Sequence, residues 1–94
     1  MYSDELIAKE ILENHFGGRK NVFTPEVIKY IIISDNVFCE YSKGEFMNKN
    51  IFGMVFVRKY DDGETKTLYN YNHCSLTEEE ALEYIEKMKK EMSK

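Results

Sequence analysis

Four side chains in this sequence have the composition of a two-cysteine, two-histidine zinc site: His15, Cys39, His73 and Cys74. Structural zinc sites use closely spaced ligand pairs whose side chains converge from a turn. His73 and Cys74 are instead adjacent, so their side chains diverge in an extended chain, and the other two residues lie far away in sequence. The spacing therefore predicts no metal site, and we expect no cofactor.

A cysteine nucleophile is the second chemistry that these residues allow. A thiolate needs a neighbouring base or a helix N-terminus that lowers its pKa. Cys74 lies three residues ahead of a helix-start signal, but the carboxylates of Glu78–Glu80 are close and oppose a thiolate. Cys39 alternates with Val37 and Tyr41, which is typical of a small core residue. We therefore expect a non-enzymatic protein, with a Cys-dependent or metal-dependent enzyme as the least favoured alternative.

Tyrosines form the first candidate surface for binding a partner. Tyr69 and Tyr71 lie on one face of a predicted strand, and Tyr41 joins them if the strands pair in a suitable register. Tyrosine combines a large contact area with a polar tip and is enriched in protein–protein interfaces. The alternative is core packing with the hydroxyl groups at the edge of the core.

Glutamates form the second candidate surface, which consists of Glu79, Glu83 and Glu86 on a predicted helix. Such a surface could bind a basic partner or mimic a nucleic acid. The alternative is an ordinary solvated helix, because acidic residues favour the first turns of a helix and lysines favour its end.

Residue patterns predict an α+β fold with an N-terminal helix, a three- to four-stranded antiparallel β-meander and a C-terminal amphipathic helix packed on the sheet. The predicted elements are a helix over 3–16, strands over 24–34, 36–42, 51–60 and 64–71, and a helix from Thr77 to about Met92. Residues 43–50 are predicted to be a loop, and Asp61-Asp62-Gly63 a hairpin turn. Thr77 and Glu80 match a capping box. The predicted apolar helix faces are Ile7, Ala8, Ile11 and Leu12 in the first helix, and Ala81, Ile85, Met88 and Met92 in the second.

Two points are left open by these patterns. Residues 24–34 begin with Thr-Pro-Glu, a good helix start, but their β-branched run favours a strand. The strand over 51–60 is apolar on both faces, so it is expected to be central and covered on both sides. The two helices could cover its two faces. Alternatively, a partner chain could cover one face, and we therefore consider a homodimer.

Composition and charge limit the class of partner. The chain has 94 residues, 43% hydrophobic and 32% charged, which predicts one small domain over residues 1–94. Its net charge of −4 arises in residues 61–94, which hold nine acidic and five basic side chains. Because an acidic protein repels phosphate backbones, we expect no direct nucleic-acid binding. No apolar run is long enough to span a bilayer and the two cysteines do not suggest a disulfide scaffold, so we expect a cytoplasmic protein.

The strands followed by "SLTEEEALEYIEKM" resemble the HicB-type antitoxins, in which a small β-sheet leads into a helix opened by a T-x-x-E-A motif. The resemblance covers about the last 45 residues. The proline-glycine segment that usually precedes that helix is missing, as is a DNA-binding extension.

The sequence favours a small protein-binding module that uses the tyrosine face or the acidic helix to bind another protein. Lysine, asparagine, isoleucine and tyrosine are plentiful, which is typical of an AT-rich genome and suggests a phage or mobile-element inhibitor of a host protein. The alternative is an antitoxin-like or regulatory acidic protein that binds a basic partner.

Overall fold

The protein folds as a helix, four antiparallel strands and a second helix, which confirms the predicted α+β class and the β-meander. In the computed structural model, residues 4–19, 22–73 and 77–92 are described. The elements in chain order are α1 (Asp4–Phe16), β1 (Glu26–Ile32), β2 (Val37–Phe46), β3 (Lys49–Lys59), β4 (Thr65–His73) and α2 (Glu78–Met92). The strands lie in the sheet in the order β1-β2-β3-β4.

The segment that could have been a helix or a strand is strand β1. Its β-branched residues suit a half-buried pleated surface, and Pro25 stands just before it, where no ladder hydrogen bond is lost. β1 pairs with β2, and the register shifts between Val27 and Lys29, which leaves Ile28 as a bulge.

The predicted loop over residues 43–50 is wrong. β2 continues to Phe46 and β3 begins at Lys49, so two residues make the turn. Both of them, Met47 and Asn48, have positive φ, at 52° and 66°. This combination defines the type I′ turn, whose twist matches that of a hairpin. A methionine at positive φ is uncommon, so residue preferences did not reveal the turn.

The predicted hairpin between β3 and β4 is confirmed. The Tyr60 amide donates to the Glu64 carbonyl at 2.8 Å, and the Gly63 amide donates to the Tyr60 carbonyl at 2.9 Å. Gly63 has a φ of 88°, which a glycine adopts without strain.

β3 is buried on both faces, and each helix covers one of them. Phe52, Met54 and Phe56 belong to a core cluster with Ala81 and Ile85 of α2. On the opposite face, Val55 and Val57 pack with Ala8 and Leu12 of α1. The protein therefore has three layers, with α1 and α2 on opposite sides of the sheet.

The predicted helix faces are confirmed except for one residue. Ala8 and Leu12 are buried and Ile11 is partly buried, whereas Ile7 is 41% exposed. In α2, Ala81 and Ile85 are buried, and Met88 and Met92 pack at the margin of the same cluster. The C-terminal amphipathic helix thus packs on the sheet as predicted.

Candidate functional site

Tyr41, the first of the predicted partner-binding tyrosines, lies in the core. Its side chain is 1% exposed and stacks on Phe52, with ring centroids 6.1 Å apart. Burial raises the pKa of Tyr41, and the nearby Glu78 carboxylate raises it further. Within the described ranges, the Tyr41 hydroxyl is a buried polar group without a hydrogen-bond partner. In this conformation Tyr41 offers no surface to a partner.

Tyr69 and Tyr71 lie beneath α2, where they meet Tyr84. The ring centroids of Tyr71 and Tyr84 are 4.9 Å apart, and those of Tyr69 and Tyr71 are 5.9 Å apart. The Tyr84 hydroxyl donates to the Tyr69 hydroxyl at 3.0 Å. Burial, followed by the hydrogen bond that Tyr84 donates to Tyr69, raises the pKa of Tyr84 to about 12. The tyrosine face is therefore an internal contact between the sheet and α2.

Tyr84 was missing from the sequence-based set of tyrosines. It lies three residues after Ala81 and four before Met88, so helical spacing alone places it on the buried side of α2. The sequence did not show that α2 packs on β4, so it did not show that Tyr84 meets Tyr69 and Tyr71.

Glu79, Glu83 and Glu86 lie on the outer side of α2 and are exposed. Together with Leu82, they form what we call the acidic helix surface. Leu82 is 41% exposed, and Lys87 and Lys90 border a shallow depression of about 530 Å³ there. Because Ala81 and Ile85 hold the other side of α2 on the sheet, this surface stays available to a partner.

Cys39 is a core residue, as its alternation with Val37 and Tyr41 predicts. It is buried as a free thiol, and burial raises its pKa to about 12. A thiol with so high a pKa stays protonated at neutral pH. Cys74 and the side chain of His73 lie outside the described residues. Within the described ranges, no group of three or more His, Cys, Asp and Glu side chains is placed to hold a metal ion.

His15 connects the end of α1 to β4. Its Nδ1 atom hydrogen-bonds with Thr65 Oγ1 at 2.6 Å, and its Nε2 atom with Thr67 Oγ1 at 2.9 Å. Burial lowers the pKa of His15, and the Arg19 guanidinium lowers it further. The structure therefore favours the neutral imidazole, and not the cation that a helix C-terminus stabilises.

Beyond the end of α1, the chain crosses the α1 side of the sheet over two glycines. A Cβ atom on Gly44 would overlap the Phe23 carbonyl group. A Cβ atom on Gly53 would lie 2.6 Å from Thr24 Oγ1. Thr24 is buried and accepts a hydrogen bond from Ser42 Oγ at 2.9 Å. Glycine at both positions thus allows residues 22–24 to lie directly on the strands.

Between this crossing segment and α1, a groove runs across the sheet. A row of paired residues lies along it, with one member from each strand: Tyr30, Glu40, Val55 and Asn70. A cavity of about 590 Å³ extends from Glu40 towards β4, and one of about 460 Å³ extends from Glu40 towards β1. Phe16 and Arg19 line both cavities. We call the two cavities together the sheet groove.

Glu40 is the charged group at the centre of the sheet groove. Burial raises its pKa, and the Glu13 carboxylate raises it further. No cation among the described residues forms an ion pair with the Glu40 carboxylate. A half-buried carboxylate without a counter-charge is unusual, because burial of an unpaired charge is unfavourable.

The sheet groove was not predicted, although part of its signal is in the sequence. Glu40 alternates with Cys39 and Tyr41, and Asn70 alternates with Tyr69 and Tyr71, so both face away from the tyrosines. Their alignment across β3 depends on the short turn at residues 47–48, which was predicted to be a longer loop.

Comparison of the chain with protein-family models, with curated proteins and with solved structures found no match in any of the three. Among the described residues, no helix has the length and apolar character needed to cross a membrane.

Proposed function

We propose that the protein is a non-enzymatic binding module that uses the acidic helix surface to bind a basic protein. The observation that carries this proposal is the position of Leu82, which is 41% exposed among Glu79, Glu83 and Glu86 on a helix anchored from its other side. An exposed apolar side chain with a polar rim is a common arrangement for a protein interface, and in this rim three glutamates outnumber Lys87 and Lys90. The excess of acidic residues in positions 61–94 favours a partner of opposite charge.

The tyrosine face supports this proposal less well than the acidic helix surface. Tyr41 is buried, and Tyr69 and Tyr71 pack against Tyr84. A partner that used these residues would first have to displace α2. The antitoxin-like alternative uses the same glutamates, so one experiment tests both hypotheses.

The composition of the chain supports a proposal for the compartment and the origin of the protein. We propose a cytoplasmic protein, because the buried Cys39 is a free thiol and the chain has only two cysteines. A phage or mobile-element origin, with a host protein as the target, agrees with the AT-rich codon types of the abundant residues.

The proposal is tested by a tagged pulldown from the native host, followed by mass spectrometry. The test variant reverses the charges of the surface by Glu79→Lys, Glu83→Lys and Glu86→Lys. The control variant carries Glu5→Lys, Glu10→Lys and Glu64→Lys, three exposed positions away from the surface. Both variants have the same net charge.

We expect basic proteins to be enriched by the wild type and by the control, and to be lost from the test variant. Leu82→Ala should weaken the same interaction without any change of charge. Equal loss in both charge variants would indicate non-specific attraction to an acidic protein. That result, or the absence of any enriched partner, would contradict the proposal.

A further inference from the structure

We infer that the sheet groove binds an ammonium or guanidinium group carried on an unbranched aliphatic chain, with Glu40 as its anionic contact. This site lies on the α1 side of the sheet, opposite α2, and is independent of the acidic helix surface.

The shape of the groove suits an elongated ligand. Its row of residues crosses all four strands, and neighbouring strands lie about 4.8 Å apart, so Tyr30 and Asn70 are separated by about 14 Å. The cavities of about 590 and 460 Å³ lie in the range typical of small-molecule sites. Because both cavities reach Glu40, a ligand on either side can place a terminal group beside the carboxylate.

The charges around the groove favour a cation. The described ionisable groups that line it are Glu13, His15, Arg19, Tyr30 and Glu40. Burial and Arg19 both favour the neutral imidazole of His15, and a tyrosine is neutral at ordinary pH. Glu13 is exposed and pairs with Lys9 at 4.0 Å, and Arg19 is exposed as well. The half-buried Glu40 is therefore the main charge inside the groove among the described residues. An anionic ligand would meet the Glu40 carboxylate at the centre of the groove.

The neighbours of Glu40 supply the remaining contacts that such a ligand needs. An ammonium group has three donors and a guanidinium has five, so each requires several acceptors when it leaves water. Tyr30 and Asn70 belong to the same row as Glu40 and line the two cavities. A tyrosine hydroxyl and an asparagine amide oxygen can both accept hydrogen bonds. Phe16 and Val55 provide apolar surface for the aliphatic chain.

Glu40 has no evident role in folding that would explain its position. It shares its sheet face with Phe38, Val55 and Val57, where an apolar residue would extend the core. Burial raises the pKa of Glu40, and a bound cation would lower it. The groove thus contains a charged group that a cationic ligand stabilises.

The inference is tested by calorimetric titration of the full chain with putrescine, agmatine and N-acetylarginine amide. The first two represent a free small molecule, and the third represents an arginine side chain of a protein. The neutral control ligand is 1,4-butanediol, which has the length of putrescine without its charges. We expect at least one cationic probe to bind with a Kd of about 1 mM or lower, and the diol not to bind.

Glu40→Gln should weaken this binding by about tenfold or more, because it removes a charge-assisted hydrogen bond. Glu45→Gln, an exposed change on the same strand, should leave it unchanged. In the wild type, the cationic probe should shift the amide resonances of Tyr30, Val55 and Asn70, an observation that does not depend on any variant.

Binding by agmatine but not by the arginine derivative would identify a small-molecule site, and binding by the derivative would identify a side-chain site; both support the inference. The absence of binding by all three cations overturns it. Equal binding by Glu40→Gln, or by the neutral diol, overturns it as well. The charge reversals on α2 should not affect this binding. The experiments therefore test the sheet groove and the acidic helix surface independently of each other.

Discussion

At the scale of single residues, Glu40 places a carboxylate beside the apolar cluster under α1. Its pKa is raised by burial, so the folded state favours the protonated form more than the unfolded chain does. For an acid shifted in this direction, stability is greatest below the unfolded pKa and falls as the pH rises through the folded pKa. The ionised carboxylate therefore destabilises the free protein at neutral pH.

We expect Glu40→Gln to raise the free energy of unfolding at pH 7, measured by urea denaturation. The difference from the wild type should vanish as the pH falls to the ordinary glutamate value of 4.5 and below. Glu45→Gln provides the exposed control on β2 and should change stability by less than about 0.5 kcal/mol. A destabilised Glu40→Gln variant would mean that the carboxylate supports the fold.

His15 has the opposite dependence on pH. Its pKa is lowered by burial and by Arg19, so the folded state favours the neutral imidazole. Its stabilising effect is therefore present above the ordinary value of 6.5 and is lost as the pH falls towards the lowered pKa. Protonation would also remove the ring nitrogen that accepts a hydrogen bond from a threonine hydroxyl.

We predict that the wild type loses more stability between about pH 7.5 and about pH 5.5 than His15→Gln does. His73 is present in both proteins, so its titration largely cancels from the comparison. Urea denaturation at the two pH values measures the effect. Parallel losses in the two proteins would show that His15 does not titrate differently on folding.

At the scale of elements, the crossing segment over residues 22–24 depends on two glycines of the sheet. We expect Gly53→Ala to destabilise the fold by about 1–3 kcal/mol, because its Cβ would crowd the side chains of Thr24, Ser42 and Asn72. Gly44→Ala should destabilise the fold more, because its Cβ would overlap the backbone of Phe23, which cannot rotate away as a side chain can. Denaturant unfolding of both variants gives the order, and the reverse order would contradict the described path of the segment.

Helix α2 depends on Thr77, the capping residue just before it, for a defined start. The Glu80 amide donates to Thr77 Oγ1 at 3.2 Å, as the capping-box pattern predicts. Thr77→Ala should destabilise the protein by about 1 kcal/mol, whereas Thr77→Ser should retain most of the stability. Thermal or urea unfolding of the pair measures the cap. Equal stability of the two variants would show that water replaces this hydrogen bond without loss.

At the scale of the whole molecule, β3 is the centre of three layers. Its residues from Ile51 to Val57 are buried, and it has a strand on each side and a helix over each face. The amides of these residues can exchange with solvent only when a large part of the protein opens. We therefore expect hydrogen exchange to be slowest in β3 and faster in the edge strands β1 and β4. Fast exchange in β3 would contradict the three-layer arrangement.

Self-association stays a prediction, but the structure removes the reason first given for it. The chain's own helices cover both faces of β3, so a dimer has to use an edge strand or an exposed surface. Light scattering after gel filtration distinguishes one chain from two. A dimer that survives the charge reversals on α2 would direct attention to the strand edges.

Local patterns were sufficient to predict most of the elements. The β-branched run of β1, the glycine turn at Gly63 and the cap at Thr77 each act over a few residues, so each can be read from neighbouring positions. The apolar residues on both faces of β3 likewise predicted a strand buried on both faces. The turn at Met47 and Asn48 was missed because a methionine rarely adopts a positive φ, and here the pairing of the neighbouring strands stabilises it.

The candidate sites depend on contacts between distant parts of the chain. Tyr69 and Tyr71 have the same pattern whether they face a partner or α2, and Tyr84 packs on them only because α2 folds back over β4. Glu40 and Asn70 come together across β3 through the pairing of three strands. Sequence patterns predict which face of a helix or strand a side chain occupies. They do not predict which element covers that face, because this depends on the free energy of packing the whole chain, to which every element contributes.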